Sequence, residues 1–335
     1  MGIAADQIVK LASNESPDGP FPGVIEAASR ELAGSHRYPD NDTPDLVMAL
    51  SAWLGAPADH LWPGAGSVAL LGHIALAVGG PGTSAVLAWP SFVMYRTVSR
   101  WAMTEALEVP LTSDFAHDLE GMANAIRDDT SVVYLCNPNN PTGTIFSGDA
   151  LDWFVGAVPE RVLVVVDEAY HDYVTAPAYR SALRLALERP NVIVLRTFSK
   201  IFGLAAHRIG YAIGQPATIA ELRKTQIPFS VSQVAQTAAT ASLADIDEHR
   251  RRVEANAVGR HHLLGVLEER GLPHTESDAN FVYLRIGEDS LSVTDQFMKR
   301  GIIIRPMSRG WVRVTVGSDT ENKRFVAALD DVIAL

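Results

Sequence analysis

Between residues 60 and 215, short and almost uninterrupted apolar runs alternate with stretches whose apolar positions recur at helical spacing. Ala85–Trp89 (AVLAW), Ser131–Cys136 (SVVYLC), Val162–Val166 (VLVVV), Val192–Leu195 (VIVL) and Arg208–Ile213 (RIGYAI) read as strands. Runs this uniformly apolar suit strands buried on both faces of a sheet. Ser67–Val78 and Ala150–Val158 read as helices between them. Strand–helix alternation predicts an α/β fold with a mostly parallel central sheet. The pattern changes after about Ala244. Asp245–Arg270 reads as a long charged helix, and Phe281–Ile286, Ile302–Arg305 and Val312–Val316 read as strands separated by helical segments. This predicts a second, smaller α+β domain. The expected division is a large domain, 36–243, and a small domain formed by 244–335 with the N-terminal arm, 1–35. That arm is expected to pack with the small domain or with a partner subunit.

Composition narrows the function classes. The chain has 335 residues, 47% of them hydrophobic, enough for two cores. Its formal net charge of -11 gives no broad electrostatic footprint for nucleic acid. An anionic ligand must therefore be held by a local pocket. Cys136 is the single cysteine, which excludes an intrachain disulfide and a cysteine metal cluster and suits a cytoplasmic setting. No metal is expected. The first residues lack a basic-then-apolar leader pattern, and no apolar stretch is long enough to span a bilayer.

Several residues carry chemistry. Lys200 directly follows the VIVL strand in Arg196-Thr-Phe-Ser-Lys200. The carboxyl edge of a parallel sheet is where ligands bind, and partial desolvation there lowers a lysine pKa enough for Schiff-base formation. A surface lysine ending a strand is the plain alternative. Asp167, in Val166-Asp-Glu-Ala-Tyr170, also sits at a strand end, where a protonated pyridine nitrogen would be a partner and Tyr170 a phenolate donor. A helix-capping aspartate is the other reading. Asn137-Pro-Asn-Asn-Pro-Thr-Gly143 is a rigid turn that fixes Asn140. Pro63-Gly-Ala-Gly-Ser67 opens a helix with small residues, Ala65 and Gly66 among them, as a phosphate cradle requires. Ser199 and Arg208 would complete it. Arg313 lies inside the apolar strand Trp311–Val316 and needs an anion, either a substrate carboxylate or a structural Asp or Glu.

Taken in order, NPNNPTG, DEAY, SK, an arginine eight positions on and the RVTV arginine closely resemble the class I/II, fold-type I aminotransferases. The markers LASNES at 11–16, RYPDN at 37–41, CNPNNPTG, LRTFSK and ANFVYL at 279–284 resemble the histidinol-phosphate aminotransferase branch, which includes aromatic amino acid (phenylalanine) aminotransferases. The resemblance implies pyridoxal 5′-phosphate (PLP) as cofactor and Lys200 as its Schiff-base lysine. Asp167 would pair with the pyridine nitrogen, Tyr170 and Asn140 with the phenolate oxygen, and Phe92 would stack on the ring. Ala65, Gly66, Ser199 and Arg208, with Thr197 nearby, would hold the phosphate. Tyr38 would reach the cofactor phosphate of a neighbouring subunit, so a homodimer with active sites at the interface is implied. Arg313 would bind the α-carboxylate and Asn14 would line the substrate site. Arg305 matches an arginine that binds the substrate phosphate in the histidinol-phosphate enzymes, and the aromatic enzymes carry one there too. QIPFSVS at 226–232 resembles stretches of the actinobacterial aromatic enzymes. The expected reaction is transfer of an amino group from an aromatic amino acid to 2-oxoglutarate. The alternatives are histidinol phosphate as donor, or a PLP-dependent decarboxylase or lyase. Two departures bear on specificity: Ala206 and His207 replace a glycine and an apolar residue of the family pattern, and LASNES lies close to the N-terminus, which shortens the arm that covers the substrate. A DNA-binding regulator on this fold is set aside because of the acidic charge and that short N-terminal stretch.

Overall fold

We describe a computed structural model of the chain, in which residue 4 and residues 7–334 are placed. Eleven strands are assigned among these residues: β1 (Val9–Leu11), β2 (Leu61–Gly64), β3 (Ser84–Trp89), β4 (Glu105–Pro110), β5 (Thr130–Cys136), β6 (Leu163–Asp167), β7 (Val192–Thr197), β8 (Gly210–Ile213), β9 (Phe281–Arg285), β10 (Ile302–Pro306) and β11 (Trp311–Thr315). Seven form one sheet in the order β2-β8-β7-β6-β5-β3-β4. β4, β3, β5, β6 and β7 run parallel, and β8 is antiparallel to both neighbours. The expected α/β fold with a mostly parallel sheet is what the chain adopts. Its central strands are buried except at the partly exposed Ser131, as their largely apolar sequence requires.

One strand reading changes, and three strands, β1, β2 and β4, are not among those expected from the sequence. The run expected from Arg208 begins as a strand only at Gly210, because Arg208 holds φ +53° and cannot continue an extended ladder. β4 (EALEVP) mixes charged and apolar residues, so it carries no continuous apolar signal. It lies at the sheet edge and is largely exposed.

The topology sets where ligands can sit. The carboxyl ends of β2, β3, β5, β6 and β7 and the entry to β8 share one edge of the sheet. Pro63–Ser67, Trp89–Phe92, Asn137–Gly143, Asp167–Tyr170, Ser199–Lys200 and Arg208 therefore converge there, as in open α/β sheets generally.

The second sheet has the order β1-β10-β11-β9, with β1 parallel to β10 and the others antiparallel. Strict alternation divides its faces. Val9, Leu11, Val282, Leu284, Ile302, Ile304, Val312 and Val314 pack with residues of the helices Ile246–Glu269, Ser290–Lys299 and Asp319–Ile333 in one core. The other face presents Tyr283, Arg305 and Arg313 to the edge of the large sheet. The N-terminal arm divides between the two sheets: β1 extends the small one, whereas Phe21, Val24 and Ala28 are buried in the large core. Residues 1–3, 5, 6 and 335, the outer ends of the expected small domain, lie outside the described residues.

One buried ion pair stiffens the site from behind. Arg196 on β7 meets Glu168 at 2.9 Å, and both side chains are almost fully buried. Glu168 also accepts from Ser181 Oγ at 2.9 Å and from the Ala182 amide. Arg196→Met leaves the carboxylate buried without its counter-ion, so it is expected to cost about 3–5 kcal/mol. Urea unfolding checks this; a loss below about 1 kcal/mol would show that the pair is not a structural anchor.

Candidate active site

The converging loops and the open face of the small sheet enclose a cavity of about 780 Å³. That volume lies in the range of sites for small organic ligands. Its ionisable lining includes Lys200, Arg208, Arg305 and Arg313 against Asp167 and Glu15, and Glu15 is already paired with Lys10 at 2.8 Å. No carboxylate lies within salt-bridge distance of any of these four cations among the described residues. A chain with an acidic overall charge thus concentrates unpaired positive charge in one cavity, which suits a ligand bearing more than one anionic group.

Asp167 ends β6 and is 2% exposed. Its Oδ2 accepts from Tyr95 Oη at 3.0 Å and its Oδ1 from the Ala169 amide at 3.1 Å. Burial pushes its carboxyl up to about 6, against the lowering effect of the Tyr95 hydrogen bond. The carboxylate therefore lacks a hydrogen-bonded cation and would be stabilised by one supplied from the cavity. Tyr95 was not anticipated from sequence. It lies one helical turn beyond Phe92, stacks on Tyr134 at 5.1 Å and meets the Phe92 ring edge-on at 5.7 Å. The spacing Phe92-x-x-Tyr95 on a helix start is the only signal that could have found it.

Lys200 follows β7. Its Nζ donates to the carbonyls of Asn14 at 3.0 Å and Ser13 at 3.3 Å. Burial lowers its pKa to about 8, with Arg313 adding to the effect. The amine is thus neutral in an appreciable fraction of molecules near pH 8, as attack on a carbonyl requires. Asn14 holds φ +54° and is buried. Its Nδ2 donates to Tyr170 Oη at 2.9 Å, and its own amide donates to Thr315 Oγ1 at 2.9 Å. One arm residue therefore joins Lys200, Tyr170 and β11. Burial pushes the Tyr170 phenol up to about 12, so it stays protonated and can donate.

Arg313 is 8% exposed, with Nη1 donating to Asn140 Oδ1 and Nη2 to the Ala12 carbonyl at 2.9 Å. Its Nε is buried with no hydrogen-bond partner. The structural ion pair considered from sequence is absent among the described residues. Arg305 lies directly opposite Arg313 across β10 and β11 and donates to the Ala12 carbonyl at 3.2 Å. Asn140 uses its side-chain oxygen for Arg313, which leaves its amide nitrogen to donate to a ligand.

At the far corner Ser67 and Val68 begin the helix Ser67–Val78 and line the cavity with Thr197, Ser199 and Arg208. First-turn amides of a helix have no intrahelical acceptor and favour an anion. Gly66 holds φ +86°, and a Cβ there would approach Arg208 Nη2 to 2.6 Å. Only glycine lets the guanidinium lie this close to the helix entry. Ala65 and Gly66 immediately precede the lining residues Ser67 and Val68 but are not themselves among the residues that line the cavity. Phe92 lines it as expected. Tyr38 does not: it is 83% exposed and stacks on Phe229 at 4.8 Å. His207 is half-buried and Ala206 exposed, and neither reaches the cavity. Cys136 lines it, but burial pushes its thiol up to about 12 and leaves it unreactive.

These features fit the implied cofactor. A buried carboxylate without a cation suits a protonated pyridine nitrogen, a lysine of lowered pKa suits an aldehyde, and the Arg208 corner suits a phosphate.

The sequence of residues 6–329 matches the family described as aminotransferase class I and II. The chain is 43% identical to an aromatic amino acid aminotransferase of Streptomyces avermitilis, over 95% of this chain and 88% of the relative. It is 40% identical to a histidinol-phosphate aminotransferase of Moorella thermoacetica, over 99% and 87%. The crystal structure of histidinol-phosphate aminotransferase from Sinorhizobium meliloti in complex with pyridoxal-5′-phosphate superposes with a TM-score of 0.92 at 32% identity, covering 98% of this chain and 91% of that one.

Because its folded pKa is raised, Asp167 retains a proton between the ordinary carboxylate range and about pH 6 that the unfolded chain has released. The cofactor-free protein should therefore lose stability as pH rises through that window. Asp167→Asn should remove this slope and stabilise the cofactor-free protein by about 1–3 kcal/mol at pH 7, while weakening PLP binding. Chemical denaturation against pH and a PLP titration measure the two effects. A destabilised cofactor-free variant would contradict the reading.

Proposed function

Because this chain belongs to the class I and II aminotransferase family, we propose that it transfers the amino group of an aromatic amino acid, of the phenylalanine or tyrosine type, to 2-oxoglutarate. Its cofactor is pyridoxal 5′-phosphate, and it acts on amino and keto acids. The observation that carries the choice of donor is the 43% identity to an aromatic amino acid aminotransferase across nearly the whole chain.

PLP, when bound, supplies the electron sink that stabilises negative charge at the substrate Cα. The chain's residues do the rest. Asp167 keeps the proton on the pyridine nitrogen. Tyr170 Oη and Asn140 Nδ2 donate to the phenolate oxygen, and Phe92 covers the ring. Ser199, Thr197 and Arg208 hold the phosphate beside the helix entry that follows Ala65 and Gly66. Lys200 would hold the cofactor covalently and, as the free amine, would move a proton between the substrate Cα and the cofactor's C4′. Arg313 holds the α-carboxylate, with Asn14 beside it. The large unit, 36–243, provides the cofactor contacts, and 244–335 with the arm provides Arg305 and Arg313. The exposed Tyr38–Phe229 pair suits a homodimer in which Tyr38 reaches the partner's cofactor. The absence of a helix able to cross a membrane, among the described residues, is compatible with a cytoplasmic enzyme.

A second reading, histidinol phosphate as donor, is favoured by Arg305, which brings a further unpaired cation to the cavity, and by the Moorella relative. Measuring kcat/KM for phenylalanine and for histidinol phosphate, each with 2-oxoglutarate, separates the two. Phenylalanine is expected to be preferred; turnover of histidinol phosphate with inert phenylalanine would reverse the assignment. Arg313→Ala should raise KM for phenylalanine about 30-fold or more, by removing a buried charge-assisted contact. An unchanged KM would exclude Arg313 from carboxylate binding.

A further inference from the structure

The small-sheet face that closes the cavity carries a third residue in the same row as the two arginines. Antiparallel pairing sets Arg305 opposite Arg313 and Arg313 opposite Tyr283, and all three line the cavity. Directly opposed residues stand about 4.5–5.5 Å apart at Cβ. Tyr283 is therefore one strand away from Arg313, on the side opposite Arg305.

The Tyr283 ring is braced on two sides. Trp311 stacks on it at 4.5 Å with an interplanar angle of 16°, and Phe115 meets it edge-on at 6.1 Å. Phe115 also packs on Trp311 at 4.8 Å. Phe115 comes from a loop of the large unit, and its carbonyl accepts from Thr144 Oγ1 at 2.7 Å and Thr142 Oγ1 at 3.2 Å, in and beside the turn that carries Asn140. The aromatic stack is thus tied to both sheets. Tyr283 is 2% exposed and lines the cavity. A wall fixed in this way needs little ordering when a ligand binds, and aromatic rings gain from contact with one another beyond simple burial.

We propose that Tyr283 is a specificity-determining residue, the braced wall against which the aromatic side chain of the substrate packs. This rests on the aromatic reading above and deepens it. Two carboxylates without an amino group, 3-phenylpropanoate and 4-methylpentanoate, report on the wall without any chemical step. Their dissociation constants are measured on the PLP-loaded protein through the change in cofactor absorbance, alongside kcat/KM for phenylalanine and leucine. Tyr283→Leu should weaken 3-phenylpropanoate roughly 10- to 100-fold, change 4-methylpentanoate less than about threefold, and lower the phenylalanine-to-leucine ratio of kcat/KM by the same factor. Tyr283→Phe should retain wild-type behaviour. If Tyr283→Leu does not fold or load PLP, Tyr283→Met carries the same expectation. Equal weakening of both ligands, or of neither, in a wild-type background that prefers phenylalanine overturns the role of Tyr283 alone. A wild-type protein that neither turns over phenylalanine nor prefers 3-phenylpropanoate overturns the aromatic reading and this inference together.

Discussion

The carboxylate of Asp167, buried at the end of β6 with only a tyrosine hydroxyl and one backbone amide to hold it, is the constraint around which the site is arranged. Burying an ionised carboxylate without a cation is unfavourable, and the raised pKa expresses that cost. Its neighbour Glu168 shows the contrast. One residue on, it is equally buried but meets Arg196, and that pair and its hydrogen bonds hold its carboxyl below the usual range despite the burial. The two adjacent carboxylates thus differ in their partners: Glu168 has a buried counter-ion, and Asp167 has none among the described residues.

The second element of the arrangement is the N-terminal arm. Asn14, in a left-handed conformation, connects Lys200, Tyr170 and Thr315 through its carbonyl, side chain and amide. Ala12, two residues earlier, accepts from both Arg305 and Arg313. The arm therefore contacts three of the cavity's four cations, Lys200 at the edge of the large sheet and Arg305 and Arg313 on the small one. Tyr283, Trp311 and Phe115 pack together where these surfaces meet.

The large sheet was legible because β5, β6 and β7 are buried on both faces and so are written as unbroken apolar runs. Their carboxyl ends could be named directly, and with them Asn140, Asp167 and Lys200. Arg313 stood out because a cation interrupts an apolar strand. Other features left no such trace. β4 is an exposed edge, so its sequence is not constrained to be apolar. Tyr95 acts through one buried hydroxyl, which no periodicity reports. The contact between Arg208 and Gly66 depends on two left-handed backbone positions far apart in sequence. Tyr38, by contrast, was named through the resemblance alone, and it faces solvent in the single chain.

We infer that the cavity between the two sheets holds PLP through Lys200. Borohydride reduction of the PLP-loaded protein followed by peptide mass mapping tests it most directly. The reduced phosphopyridoxyl group should be found on Lys200, and Lys200→Ala should carry none. Stoichiometric label on another lysine, with Lys200 unmodified, would contradict the account.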